Sequence, residues 1–387
     1  MSLIRGKSAK QTKASFPELF FDLVFVFALI QLSYTLVEDF SSTTLAESIL
    51  LILAIWWLWV HTTWITNLLD TNKEAVRLLL FALMFGGILL AIALPEAFKD
   101  QGLAFAALYC AMQILRSVFM LYAFRSVNRA SYLTFVRITV WVIASGVFWI
   151  IGGFASIEMR VAFWAVALLI EYISPLARYW VPGMGRSPRE TLDISGEHMA
   201  ERCALFVILC LGEAILTTGR TAAEYMQSSL SVMVFCTAFL TTGFMWWIYF
   251  HHGQQKAADK AESTTAPETV AHGLFTYGHL PIVAGVILTA VGEDFSLSRP
   301  EEHSSLKTAL AILGGLALFL IGNAWLKFTA AHTLPLSHIA GLAILLATIV
   351  LLPWQQNVTI QMVSTVTLLL VALWEYIALR KANATTA

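Results

Sequence analysis

Phe16-Pro17-Glu18-Leu19-Phe20-Phe21-Asp22-Leu23-Val24-Phe25-Val26-Phe27-Ala28-Leu29-Ile30 opens a long apolar run and carries two carboxylates inside it. Pro17 suits the first turn of a helix, where its missing N–H is not needed. Glu18 and Asp22 are four residues apart, so a helix puts them on one face, continued by Leu29 and Ser33. A carboxylate about one turn into hydrocarbon costs roughly 2.5–3.5 kcal/mol on insertion scales, so it faces protein or water and has a partner. What Asp22 pairs with is therefore the first question the chain poses.

The 387 residues are 58% hydrophobic and only 13% charged, against about 25% charged in soluble domains. That balance defines a polytopic membrane protein, and a net charge of −1 gives no case for nucleic acid. The four cysteines fall in apolar runs and read as small core residues, not as disulfides or a metal site. The basic start (Arg5, Lys7, Lys10, Lys13) is followed by no small-residue cleavage site, so the first run is expected to stay as a helix.

A span needs about 20 residues. Twelve runs qualify, at 17–38, 43–66, 75–97, 101–124, 131–153, 158–180, 198–219, 228–250, 273–293, 305–327, 335–352 and 358–380. The expected fold is an all-α polytopic helix bundle of about twelve transmembrane helices. Sixteen of the 24 Lys and Arg residues fall on the side of the N-terminus. Five (Lys99, Arg160, Arg220, Arg299, Lys307) fall on the other, which puts both termini in the cytoplasm.

The halves repeat each other. Trp56-Trp57-Leu58-Trp59-Val60-His61 returns as Trp246-Trp247-Ile248-Tyr249-Phe250-His251. Glu96 and Glu293 close the third and ninth runs at the outer face, where a solvated acid is expected. Glu171-Tyr172-Ile173 returns as Glu375-Tyr376-Ile377. Six helices per half give two parallel repeats. The organisation expected is a basic tail at 1–16, repeats at 17–180 and 198–380, a cytoplasmic linker at 181–197 and a C-terminal tail at 381–387.

In the seventh run His198, Arg202, Leu209 and Glu213 share a face, with the spacing of Glu18, Asp22, Leu29 and Ser33. The spacing suggests that Asp22 pairs with Arg202, either as a functional site or as a structural ion pair. A second alignment matches Glu18 with Glu201. Glu213 lies deeper, beside Gly212, which would let a neighbour approach closely. His279 sits before Pro281, where a broken helix could expose an ion or proton station. Arg116 should neutralise one of the acids. Glu171 and Glu375 read as locally paired with Arg178 and Arg380. His61 and His251 read as members of an interfacial aromatic belt. No catalytic motif, metal set or cofactor site is expected.

The stretches Glu18 to Val26, Thr66-Asn67-Leu68-Leu69-Asp70, Ala93-Leu94-Pro95-Glu96-Ala97-Phe98, His198 with Glu201-Arg202, Leu211-Gly212-Glu213 and His279 with Pro281 resemble the bacterial low temperature requirement protein A family. The resemblance implies an inner-membrane protein linked to growth in the cold and supplies no reaction. A second likeness, in Phe21-Asp22 and Val24-Phe25, is to the Phe-Ser-Asp signature of the lysosomal potassium channel family, with Phe21 where that family has Ser. The expected function is a transporter moving an ion or small solute through a central polar pathway. The alternatives are a passive channel, or a protein binding or modifying lipid or isoprenoid substrates. Expected partners are membrane lipids, the unidentified ion or solute and, in an oligomer, further copies of the chain.

Overall fold

A computed structural model describes residues 3–5, 13–188, 192, 194–251, 270–331, 333–351 and 355–386. His252, Lys256 and Lys260 of the expected cytoplasmic loop lie outside these residues, as do Lys7, Lys10 and Arg189.

Twelve α-helices follow in order among the described residues: α1 Phe16–Glu38, α2 Ser42–Leu68, α3 Glu74–Ala93, α4 Gly102–Phe124, α5 Arg129–Phe154, α6 Ile157–Leu176, α7 Gly196–Tyr225, α8 Ser229–Phe250, α9 His279–Ser298, α10 Leu306–Ala331, α11 Leu336–Leu351 and α12 Asn357–Thr386. A 3₁₀ turn, Leu94–Glu96, follows α3, and a π-helical turn, His272–Tyr277, precedes α9. Ten of the helices are long and apolar enough to cross a membrane. α7 is not among the ten, and along its 30 residues it carries Glu197, Glu201, Arg202, Glu213, Arg220 and Glu224. The 16 residues of α11 make it the shortest.

The chain divides into two compact units, Met1–Arg202 with Ala261–His272, and Cys203–Lys260 with Gly273–Ala387. The division falls inside α7.

In the first unit the helix starts are set locally. Ser15 donates its N–H and its hydroxyl to Glu18 Oε2, both at 2.8 Å, and Pro17 occupies the first turn of α1. Asn128 Oδ1 accepts from Ala130 N at 2.9 Å and caps α5. α2 is buried on all sides over most of its second half, from Ala54 to Val60 and from Thr62 to Leu68, and the polar residues there (Thr62, Thr63, Thr66 and Asn67) are hydrogen-bonded. α3 shows the opposite arrangement. Leu79, Leu80, Leu83, Leu90 and Ala91 are buried, while Leu78, Phe81, Phe85, Ile88 and Ile92 form an exposed stripe. A continuous apolar face of that kind is stable only against lipid or another protein.

α6 ends at Leu176, four residues before the expected end of its span. Pro175 lies in its last turn, and Arg178 and Tyr179 then take left-handed backbone at φ 53° and 50°. The turn that follows is held from α5, where Arg137 donates to Met184 O at 2.6 Å and Gly185 O at 3.2 Å.

In the second unit α9 and α10 pack backbone to backbone. A Cβ on Gly285 would lie 2.5 Å from Phe319 N, one on Gly292 2.6 Å from Ile312 N, and one on Gly315 2.5 Å from Thr289 N. Small residues at seven-residue spacing let two helices approach this closely in a membrane, where there is no hydrophobic drive between them.

Candidate functional site

The first unit brings α1, α2 and the start of α7 together on a buried charge cluster. Glu18, Asp22, His198 and Arg202 are all fully buried. Arg202 Nη1 donates to Glu18 Oε1 at 2.9 Å and to Thr66 Oγ1 at 3.3 Å, and Nη2 donates to Asp22 Oδ1. Trp59 Nε1 also donates to Asp22 Oδ1, at 2.7 Å. Both Glu18 oxygens are thus engaged. Asp22 Oδ2 and Arg202 Nε are buried with no hydrogen-bond partner.

Proton accounting fixes the state of His198. Ser195 N donates to Asn67 Oδ1 at 3.0 Å, so the Asn67 amide nitrogen faces Ser195 O at 2.8 Å and His198 Nδ1 at 3.2 Å. Both contacts take protons from Asn67. His198 Nδ1 then accepts, and the ring proton sits on Nε2, 3.2 Å from Glu18 Oε1. A neutral His198 satisfies every contact, so the bonded cluster holds two carboxylates against one guanidinium. Asn67→Ala is expected to strand three polar atoms at a cost of roughly 1–3 kcal/mol, read as a lower melting temperature in detergent. An unchanged melting temperature would show that water replaces the amide.

The tail closes the cluster from the N-terminal side. Arg5 N donates to Leu68 O and Asp70 N donates to Leu3 O, at 3.0 and 2.9 Å. Arg5 Nη2 donates to Thr66 O at 2.9 Å, across the end of α2. Burial pushes the Arg5 guanidinium below its ordinary value, while Glu18 and Asp70 pull it back up. Glu201 faces away from its neighbour Arg202 and accepts from Ala14 N at 3.0 Å.

A second buried network joins α4, α5 and α6. Glu171 accepts from Tyr109 OH at 2.6 Å, Gln113 Nε2 at 2.7 Å and Trp149 Nε1 at 3.1 Å. Arg116 reaches it only through Gln113, donating from Nη2 to Gln113 Oε1 at 2.6 Å and from Nη1 to Leu58 O at 3.1 Å. The expected pairing of Glu171 with Arg178 is therefore corrected. Glu171 is only 3% exposed, and Arg178 donates to Ser187 O at 3.1 Å. His61 is not at a helix end, since α2 runs on to Leu68. Its ring packs on Trp57, which packs in turn on Tyr172. Glu96 is a surface residue paired with Lys99 at 3.1 Å.

The second unit has its own hydrogen-bonded acids, of which Glu293 is fully buried. Glu375 on α12 is bonded by Lys327 of α10, and Ser337 Oγ and His338 Nδ1 of α11 lie 3.4 Å away. The expected pairing of Glu375 with Arg380 gives way to this group. Arg380 stacks over Tyr376 instead. His251 stacks on Trp247, which meets Tyr376. His279 is the first residue of α9, and Pro281 lies in that first turn, so the interruption is the π-helical turn before it. Its Nδ1 faces Leu274 O at 2.9 Å and therefore donates. Its Nε2 then accepts from Tyr249 OH, also at 2.9 Å. Glu213 is half-buried and accepts from Thr217 Oγ1 at 3.1 Å. Among the described residues nothing lies within 4 Å of a Cβ on Gly212, so none of them uses the close approach expected there. The sequence leads one to expect Glu293 in solvent at a helix end, whereas it is 1% exposed, because α9 continues to Ser298 beyond it.

Sequence reasoning gave no site role to Trp59, Asn67, Tyr109, Gln113, Thr218 and His338, although Trp59 and Asn67 lie in its repeat and family motifs. Most are uncharged donors inside apolar runs, where a single polar residue has no pattern to distinguish it. Among the described residues no group of three or more His, Cys, Asp or Glu could hold a metal ion.

Long apolar helices with ionisable groups buried between them define a multi-span membrane protein. The family model for bacterial low temperature requirement A protein matches residues 13–373, and the chain belongs to that family. An uncharacterised protein of Rhizobium meliloti (strain 1021) is 58% identical over 377 residues, covering 97% of this chain and 92% of the relative. No solved structure matches the chain.

Proposed function

We propose that the chain is a transporter that moves an ion or small solute, coupled to the binding of a proton or cation at Asp22. The observation that carries the reading is the asymmetry of the Arg202 cluster. Glu18 has donors on both oxygens, whereas Asp22 Oδ2 is buried and unbonded. Two carboxylates share one bonded guanidinium. Arg5 acts on Glu18 from the tail but bonds neither carboxylate, so of the two Asp22 alone keeps an oxygen without a donor, and an ionisable group in a span reads as a functional site by default.

The reading takes the chain as two parallel six-helix repeats in the bacterial inner membrane, with both termini in the cytoplasm. Two likenesses support the duplication. His61, Trp57 and Tyr172 stack in one unit, as His251, Trp247 and Tyr376 do in the other. Glu171 on α6 takes donors from α4 and α5, and Glu375 on α12 is bonded from α10 and α11.

Purified protein in vesicles, with a pH-sensitive dye and a membrane-potential dye, tests the reading as candidate ions and solutes are added singly. Flux is expected in wild type and its loss in Asp22→Asn, with the melting temperature retained. Flux down a gradient that ignores the substitution would assign a passive channel. Absence of flux under every gradient would remove transport and leave lipid binding.

A further inference from the structure

Within the second unit α7 and α9 meet over threonines and acids. Thr221 Oγ1 donates to Asp294 Oδ2 at 2.6 Å. One turn back, Thr218 Oγ1 lies 2.8 Å from Ala214 O and 2.9 Å from Glu293 Oε2. Glu293 is 1% exposed, and its Oε1 is buried with no hydrogen-bond partner.

A threonine hydroxyl has one proton, and a carbonyl oxygen can only accept. Thr221 stands in a like arrangement, its hydroxyl 3.2 Å from Thr217 O while it donates to Asp294. Thr218 can give its proton to Ala214 O or to Glu293 Oε2, so its hydroxyl serves either state of the acid. The second oxygen decides between the states. Glu293 Oε1 is buried without a donor, so an ionised carboxylate would hold charge on an unbonded oxygen away from water, whereas a protonated carboxyl is neutral and can donate to Thr218 Oγ1.

The surroundings favour the neutral acid. Among the described residues no cation forms an ion pair with Glu293. α8 carries no charged residue along its length. On α10, Lys327 is engaged by Glu375 of α12, and Lys307 is exposed at the helix start. Asp294, its neighbour on α9, takes Thr221. On α7, Arg220 lies close enough to act on Glu213, and Glu224 is exposed. Beside Glu293, the α10 backbone closes on Gly292, where a Cβ would meet Ile312 N at 2.6 Å. That close approach leaves little room for a hydrated cation on this side.

We propose that Glu293 is a proton-binding site: it holds a proton at neutral pH, donates it to Thr218 Oγ1, and exchanges it with water during transport. The last clause rests on the transport reading above. On release, the Glu293 proton passes to water, and the Thr218 hydroxyl turns its own proton from Ala214 O to Glu293 Oε2. Ala214 O keeps the main-chain bond of the helix. Thr218 thus has two positions, one for each state of the acid.

Infrared difference spectra of wild type and Glu293→Gln in lipid at neutral pH test the proposal. Gln is close to isosteric and keeps a donor for Thr218, so the fold is expected to hold, as a melting curve will check. The wild type is expected to show the carbonyl stretch of a protonated carboxyl, moved by transfer to D2O and missing in Glu293→Gln. Thr218→Val is expected to shift that band to higher frequency without removing it. Loss of carboxylate bands alone in Glu293→Gln would overturn the proposal. A missing acid band with undiminished proton flux in Glu293→Gln would overturn the exchange role. Wild-type protein with the acid band and no flux would remove the transport reading and uphold the proton site.

Discussion

Arg202→Met is expected to deplete folded protein in detergent more than any other single substitution in the cluster. Met fills similar space but leaves Glu18 and Asp22 facing each other without the bonded cation between them. Breaking a buried pair from one side costs about 3–5 kcal/mol, because the remaining charge is uncompensated. That is a large share of the roughly 5–15 kcal/mol that holds a typical protein folded. The triple variant Glu18→Gln, Asp22→Asn, Arg202→Met removes the charges together and is expected to recover most of the folded fraction. It should still carry no flux. Arg202→Lys should fall between, since one ammonium cannot reproduce the fork that holds Glu18 and Asp22 through separate nitrogens. The measurement is the monodisperse fraction on size exclusion, followed by a melting curve. If Arg202→Met matched wild type, the cluster would not be ionised as described.

Gly315→Val is expected to have the second-largest effect. Its Cβ would sit 2.5 Å from Thr289 N and 2.9 Å from Leu288 C, both backbone atoms that cannot step aside as a side chain can. α9 and α10 must then separate along their length, losing packing at Gly285 and Gly292 as well. Overpacking a close contact costs about 1–3 kcal/mol or more. Gly314 supplies the control. A Cβ there would meet only Leu288 Cδ2, at 3.6 Å, an ordinary contact. Gly314→Ala should therefore melt close to wild type, and Gly315→Val well below it. Equal melting of the two would refute the close crossing.

The helices were legible because each span is a long apolar run with a polar or Pro break after it. Family membership was legible in the motifs of α1 and α7. The cluster was legible in part. Matching spacing put Asp22 with Arg202, and the structure has that contact. Glu18, which a second alignment matched with Glu201, meets Arg202 and His198 instead. The same spacing said nothing of Trp59 and Asn67, which supply further hydrogen bonds, because polar and apolar residues are spread around α2 and mark no face to read. Gly212 and Gly285 look alike in sequence. Only the partner helix distinguishes them, and α10 has glycines in register with Gly285 while, among the described residues, nothing approaches Gly212. Glu293 was misplaced because a carboxylate near the end of an apolar run looks interfacial. α9 extends through Asp294 to Ser298, with Thr221 bonding Asp294 and Thr218 against Glu293.

The sequence distance between Asp22 and Arg202 has a consequence for how the protein is made. The two residues are 180 positions apart, whereas Trp59 follows Asp22 by only 37. At a synthesis rate of roughly 5–20 residues per second, the counter-ion emerges about 10–40 s after the acids it serves. During that interval α1 must wait at the membrane with Glu18 and Asp22 unmatched by Arg202. Either the insertion machinery shelters α1 or its acids stay protonated until α7 arrives. A nascent chain halted before α7 should therefore expose α1 to membrane proteases or quality control, and release of the halt should withdraw it.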